Sequence, residues 1–590
     1  MNAPITESRN CLTENLDIAD PVGIVRLLRQ ADAQMFSGFD TWPGLLDEES
    51  LEAMARVAWQ LSRLFKHEGS LVLLSGAGTS GRFAHLLATE FNRILRAERL
   101  PEVFKPLMAG GEQALIQAQE AAEDSVSLAS KDLTAAIEGN TAPKMFIGIT
   151  AGLSAPYVAA QSELCLQDDS FHSVVLGFNP ASLARATPIE EWDKTVKDVL
   201  DSSLESDRFT LLNPVVGPEA VTGSTRMKGG SATKIILETI FRLAVEIVQE
   251  EAKPAGERTL EFSADNLIPL RGRLLEQIGH FSRAVDAAYS NVPALAELVR
   301  LAGTALRSDG RIHYLGRGCA GMLGIIDASE CPPTFGADLY DVRGYLREGW
   351  EFLGYGTAAM KSKGKAYDIT HKYFEQQVLP DISKGDLVIG VAIGMVGDNT
   401  ARLLQEAAVF KAKTALLLVT TEPPRASDLP DSLGHLCVLQ VPRAGCLPTM
   451  NNEAELALKL GLNAITTGAH TMAGKIFGNV MIDLRISNSK LYDRSRRLVA
   501  RLAGASDDDA RRALHHAVFK KQPTEQELAG TAIGTIVQRA VGRSKIIPLA
   551  ILLATRRFTY EEAEERLLQE PRVRRIVQDV LGEASASPVS

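Results

Sequence analysis

Apolar positions along this chain fall into two patterns that alternate. Between Glu49 and His67, Leu51, Met54, Val57, Ala58, Leu61 and Leu64 recur at the spacing of a helix with one buried face. Apolar runs follow at Leu71 to Ser75, Met145 to Thr150, His172 to Gly177 and Thr210 to Val216, separated by long stretches of helical periodicity. Short apolar runs interleaved with helices predict βα units and a mainly parallel sheet covered on both faces. Gly217 to Gly230, rich in Gly, Ser and Thr, predicts a loop before a helix over roughly Ser231 to Glu250. Polar Glu251 to Asn266 reads as a link, and Leu274 to Leu306 as helical.

The pattern then repeats. Strands are expected at Arg311 to Gly316, Leu387 to Gly394, Thr414 to Thr420 and Leu436 to Val441, with helices at Asp398 to Phe410 and Glu453 to Ile476. LVLLSGAGTSGR (Leu71 to Arg82) is answered about 240 residues later by RIHYLGRGCAGMLGIIDASE (Arg311 to Glu330), and Ile147-Gly148-Ile149 by Ile389-Gly390-Val391 at nearly the same offset. Two landmarks at one offset indicate duplication of a whole α/β domain. After Arg497 the chain becomes charged amphipathic helix without strands. The expected organisation is an N-terminal helical segment (1–50), two α/β domains (51–265 and 266–496), an all-α domain (497–582) and a disordered tail (583–590).

Composition narrows the function. A chain of 590 residues with 45% hydrophobic content can bury several cores, and a net charge of −10 gives no electrostatic footprint for nucleic acid or anionic membrane. Six cysteines without CxxC spacing and ten histidines without an HExxH array predict a reduced, metal-free protein. MNAPITESRN lacks the features of a signal peptide, and the longest apolar run, Ile546 to Ala554, is short and interrupted by Pro548, so a cytoplasmic location is expected.

Gly76-Ala77-Gly78-Thr79-Ser80-Gly81 matches GxGxxG between a strand and a helix. A dinucleotide site also needs an acidic residue at the end of the next strand; here Arg96-Ala97-Glu98-Arg99 stands on a helix end. Backbone N–H groups at a helix start with the hydroxyls of Thr79 and Ser80 suit a phosphate monoester instead, and a ligand-free tight turn is the third reading. A second loop, Thr150-Ala151-Gly152-Leu153-Ser154-Ala155-Pro156, again offers glycine and hydroxyls after a strand; taken alone it reads as ordinary helix capping.

These residues carry a resemblance. GAGTSGR (Gly76 to Arg82), AAEDS (Ala121 to Ser125), GPEAVTGSTRMKGGSATK (Gly217 to Lys234), DASECPPTFG (Asp327 to Gly336) and DLRISNSKL (Asp483 to Leu491) resemble the sugar isomerase (SIS) domain superfamily, in the branch holding N-acetylmuramic acid 6-phosphate etherases and glucokinase regulatory proteins. The tandem arrangement with a helical C-terminal cap resembles the regulatory proteins over nearly the full length. The resemblance implies tandem SIS domains forming a pseudo-dimer, no cofactor, and a hexose 6-phosphate or amino-sugar 6-phosphate as ligand. Etherase chemistry removes a proton next to a carbonyl and expels lactate, which requires two carboxyls flanking the sugar.

By resemblance those are Glu123 in AAEDS and Glu330 in DASE, the latter reaching the first domain's site across the pseudo-dimer interface, with Glu90 at the matching position of the first copy. Glu330 also stands in an otherwise apolar stretch, where an unpaired carboxylate is costly. Substrate binding is implied for Gly78, Thr79, Ser80, Thr150, Ala151, Gly152, Ser154, Thr225, Arg226 and Lys490, while Arg82 could equally pair with a neighbouring helix. In the second copy Cys319-Ala320-Gly321-Met322 replaces Thr-Ser-Gly-Arg, so that pocket reads as vestigial. AGLSAPYV (Ala151 to Val158) is the regulators' version of the second loop, whereas the full DASECPPTFG favours the etherases. Val441 to Cys446 lacks the regulators' aromatic, apolar run, which speaks against a grip on a glucokinase. The expected function is therefore an etherase-type lyase, with the alternative a non-catalytic sugar-phosphate sensor that inhibits a sugar kinase.

Overall fold

The computed structural model describes residues 4–581 apart from 261, 264–265, 431–432, 443–450, 484–485, 487–488 and 541–542. The expected tail and most of the Val441 to Cys446 segment lie outside the described residues. Ten strands form two five-stranded sheets, parallel throughout. The first holds β1 (Leu71–Gly76), β2 (Phe104–Met108), β3 (Lys144–Ile149), β4 (Phe171–Leu176) and β5 (Phe209–Leu212) in the order β2-β1-β3-β4-β5. The second holds β6 (Ile312–Gly316), β7 (Val342–Leu346), β8 (Leu387–Ile393), β9 (Lys413–Thr420) and β10 (His435–Gln440) in the order β10-β9-β8-β6-β7. Counted from its own first strand, each copy has the same 2-1-3-4-5 order, so the duplication is one of topology. Helices complete both α/β layers, and the chain ends in a third, all-helical region.

The two strands of these five-stranded sheets that are missing from the sequence pattern, β2 and β7, are both edge strands. Phe104-Lys105-Pro106-Leu107-Met108 carries a proline, which an edge tolerates, and Val342-Arg343-Gly344-Tyr345-Leu346 is interrupted by arginine and glycine. The expected helix Leu274 to Leu306 is two, Ile268–Ala288 and Val292–Arg307. Asn291 accepts from the N–H of Ala294 and Pro293 opens the second helix, a start signal inside an unbroken apolar periodicity. The long helix Asn452–Met472 stops short of Ile476, which lies in the hairpin of β11 (Ile476–Phe477) and β12 (Val480–Met481).

One continuous core spans both copies. Val72, Leu74 and Ile147 of the first sheet and Ile312, Ile389 and Leu417 of the second belong to the same buried cluster, joined through the helices Glu48–Leu64, Lys228–Ala252 and Asn452–Met472. The outward faces have separate cores: Leu73 and Phe146 pack with Tyr157 and Val158, and Leu315 and Val388 with Leu403. The C-terminal helices enclose their own core around Ile547, Ala550 and Ile551, in the apolar helix Ile546–Ala554, whose 9 residues are too few to span a bilayer. No helix among the described residues is long and apolar enough to cross a membrane.

The C-terminal region docks through close backbone approaches. Gly336 follows the short helix Cys331–Phe335 with φ of 60°, and a Cβ there would lie 2.0 Å from the carbonyl oxygen of Asp483. Gly474, with φ of 77°, meets the Pro571 carbonyl in the same way. Replacing Gly336 by alanine combines a left-handed conformation with a backbone clash. Gly336→Ala is expected to cost about 3 kcal/mol or more, lowering the thermal midpoint by several degrees in a melting curve.

Candidate functional site

In a doubly wound sheet, ligands sit beyond the carboxyl ends of the strands where the strand order reverses. In the first copy that point lies between β1 and β3, and both glycine- and hydroxyl-rich loops leave from there. The loop after β1 enters the helix Gly78–Ala97. Gly78 has φ of 52°, while a Cβ on Gly76 would lie 2.7 Å from the Ser80 carbonyl carbon, and one on Gly81 2.7 Å from the Gly76 oxygen. The first and last glycines thus let helix and strand touch, and Gly78 makes the turn. The loop after β3 enters the helix Pro156–Leu166 through Leu153, itself at φ of 49°.

Between these loops lies a cavity of about 310 Å³. Gly78, Thr79, Ser80, Thr150, Ala151, Gly152, Ser154 and Thr225 all line it, together with Glu123 and Glu330. The hydroxyls of Thr79, Ser80, Ser154 and Thr225 make no hydrogen bond with any described residue. Thr150 differs: its Oγ1 accepts from the N–H of Ser154 at 3.1 Å and of Ala155 at 3.2 Å, so its hydroxyl oxygen is engaged in holding the loop. Glu123 sits in the 3-10 turn Glu120–Asp124, next to Asp124, which Arg185 binds at 2.6 Å while also donating to the Ser154 carbonyl.

Glu330 comes from the second copy, at the junction of the helices Gly318–Ser329 and Cys331–Phe335. Its carboxylate pairs with Arg82, which is fully buried and also donates from Nε to the Leu115 carbonyl at 3.1 Å. Arg82 Nη2 is buried with no partner among the described residues, and Arg82 lines the cavity. The neighbouring-helix pairing weighed for Arg82 is therefore real, and one guanidinium nitrogen stays unpaired among the described residues.

Arg226 does not line this cavity; it borders a small void behind it, shared with Thr79, Glu330 and Lys459. It is 2% exposed and donates to Asp327 Oδ1 at 2.9 Å, to Thr466 at 3.2 Å and to Thr467 at 2.7 Å, with its guanidinium over the Phe335 ring. An arginine in a glycine-rich motif signals charge pairing whether the partner is a phosphate or a carboxylate, and here Asp327 wins. Lys490 stands in the first turn of the helix Ser489–Ala503; its side chain lies outside the described residues. Glu90 lies away from the cavity, paired with Arg93 and facing Glu455 and Lys234, and burial first of all raises its pKa.

Three cavity-shaping residues escaped the sequence pattern. Lys459, from the second copy, donates to the carbonyls of Arg226 (2.9 Å) and Met227 (3.1 Å), to Ser231 (2.9 Å) and to Asn463 (2.8 Å). It thereby fixes the loop that presents Thr225, and burial pushes its ammonium down to about 8. Thr6 and Glu7 line the cavity from the N-terminal segment. Nothing in the local pattern of the N-terminal segment marked them.

The second copy reproduces the loop geometry, with Gly318 at φ of 53°. There, however, the Gly318 N–H donates to Glu348 Oε2 at 3.0 Å, so the chain's own carboxylate answers the amide.

Comparison with known proteins follows this architecture. Residues 55–166 match the glucokinase regulatory protein N-terminal SIS domain, residues 289–436 its second SIS domain, and residues 478–577 its C-terminal lid domain. The chain is 34% identical to the glucokinase regulatory protein of Xenopus laevis over 98% of this chain and 93% of that protein. It is 34% identical to the Homo sapiens protein over 98% and 92%. An N-acetylmuramic acid 6-phosphate etherase of Serratia proteamaculans is 32% identical over 42% of this chain and 82% of the etherase.

Removing one partner of a buried ion pair leaves the other charge uncompensated. Arg226→Met is expected to cost about 3–5 kcal/mol, read as a fall in the urea midpoint. A variant with unchanged stability but lost ligand binding would return Arg226 to the ligand.

Proposed function

The chain belongs to the glucokinase regulatory protein family, and we propose that it is a sugar-phosphate sensor of that kind, binding a hexose 6-phosphate at the first copy's cavity and controlling a sugar kinase through its occupancy. The observation that carries this reading is the fate of Glu330. Etherase chemistry asks that carboxyl to donate a proton, and here it is engaged by the Arg82 guanidinium deep in the wall. The likeness to regulators extends through the C-terminal lid, whereas the likeness to etherases covers less than half the chain.

The phosphate sits at the start of the helix Gly78–Ala97, where unpaired amides and the positive end of the helix dipole favour an anion. Thr79, Ser80 and Ser154 donate to its oxygens, and Arg82 Nη2 is the buried cation within the wall. Glu123 and Glu330 face the sugar. The family resemblance adds Lys490, in the first turn of the helix Ser489–Ala503, to the proposed phosphate contacts.

A second reading keeps the lyase. Glu123 and Glu330 line one cavity, as acid–base work on an amino-sugar 6-phosphate requires, and Glu330→Gln would then abolish lactate release while leaving binding intact.

Two measurements separate the readings. Fructose 6-phosphate at a hundred times its dissociation constant is expected to stabilise the protein by about 2.7 kcal/mol, and Ser80→Ala should reduce the accompanying rise in melting temperature. Purified protein given N-acetylmuramic acid 6-phosphate should release no lactate in a coupled dehydrogenase assay. Release that vanishes in Glu123→Gln would establish the etherase instead.

A further inference from the structure

The N-terminal segment is built into the molecule. Thr6 and Asn179 exchange two hydrogen bonds of 3.0 Å, and Asn179 also donates to the Gly152 carbonyl of the second loop at 2.9 Å. Asn10 donates to the Pro218 carbonyl and to Gln34, each at 2.8 Å. Asn479, in the turn between β11 and β12, donates to the Asn10 carbonyl at 2.7 Å and to Thr13 at 3.0 Å. Thr6, Asn10, Thr13, Leu16 and Asp17 are all buried. These bonds tie the 3-10 turn Ile5–Glu7 to the second loop through Asn179, and the following residues to Pro218 and Asn479.

Thr6 and Glu7 are the residues this segment contributes to the cavity. Glu7 rests against Gly223, where a Cβ would stand 2.8 Å from Oε2 and where φ is 76°. No described residue donates a hydrogen bond to the Glu7 carboxylate. The phosphate end of the cavity is defined by the helix start at Gly78, and a carboxylate repels a phosphate dianion, so Glu7 suits the other end. The groups there that a carboxylate can bind are the hydroxyls of the sugar, to which it offers charge-assisted acceptors.

We infer that Glu7 is a specificity-determining residue that accepts hydrogen bonds from the sugar hydroxyls, held in place by the N-terminal segment acting as a third wall of the site. This rests on the reading of the cavity as a hexose-phosphate site. A phosphate ester without the polyol gains nothing from Glu7, so the residue discriminates sugar phosphates from inorganic phosphate. Glu7 is exposed apart from its contact with Gly223, so its replacement leaves the fold intact.

The test is calorimetric titration of the full chain, and of its Glu7→Gln and Glu7→Ala variants, with fructose 6-phosphate and with inorganic phosphate. A hydrogen bond to a charged group corresponds to roughly a ten- to hundredfold loss of affinity. Glu7→Ala should lose that for fructose 6-phosphate, with inorganic phosphate bound as before, and Glu7→Gln should fall between. Unchanged fructose 6-phosphate affinity in Glu7→Ala overturns this inference and leaves the site reading intact. An equal loss for both probes also overturns it, since Glu7 would then shape the phosphate end. Failure of the unmodified chain to bind fructose 6-phosphate overturns the site reading, and this inference with it.

Discussion

The buried ion pair between Arg226 and Asp327 is the interaction on which the rest of the interface depends. It joins a loop of the first copy to a helix of the second, with both side chains almost wholly removed from water. Charges are tolerated there only when their hydrogen-bonding capacity is met, and Asp327 also receives Asn463 at 2.8 Å, Thr466 at 3.1 Å and the Tyr314 hydroxyl at 3.3 Å. Lys459 closes the same network from the far side. Arg226 Nε has no partner among the described residues, but both terminal guanidinium nitrogens and Asp327 are engaged by fixed groups of the two copies, so the pair sets them in one register. Glu330 lies one helical turn beyond Asp327, and its delivery to the first copy's cavity follows from that register.

The two copies have divided the work unequally. Both retain a glycine with positive φ at the start of the helix after their first strand, so the same backbone turn persists twice. The first copy surrounds it with four hydroxyls that no described residue claims; the second has Cys319 in place of Thr79 and presents Glu348 to the Gly318 amide. An amide satisfied from within gives no reason to take up a phosphate.

Much of this was legible in the chain because the signals are local. Glycines, hydroxyls and an apolar run meet at each strand-to-helix junction, which marked Gly78 to Ser80 and Ala151 to Ser154, and a carboxylate amid Leu323, Ile325 and Ile326 marked Glu330. The edge strands β2 and β7 were hidden because an edge needs no unbroken apolar run. Thr6 and Lys459 were hidden for another reason: their partners lie 173 and 233 residues away, and nothing in the local pattern states a distant contact. Arg226 was visible as a charge that needs a partner, but a single chain does not say whether that partner is a ligand or Asp327.

The core that runs from Leu74 through the middle helices to Ile312 has a consequence for how such a duplication ages. Two repeats with separate cores can drift independently. Once they share one, an inward-facing residue of either half can change only with compensation from the other, while loops and outward faces stay at liberty. One copy could therefore let its binding loop fall idle without being lost itself, because its inner face had become the scaffold of its twin.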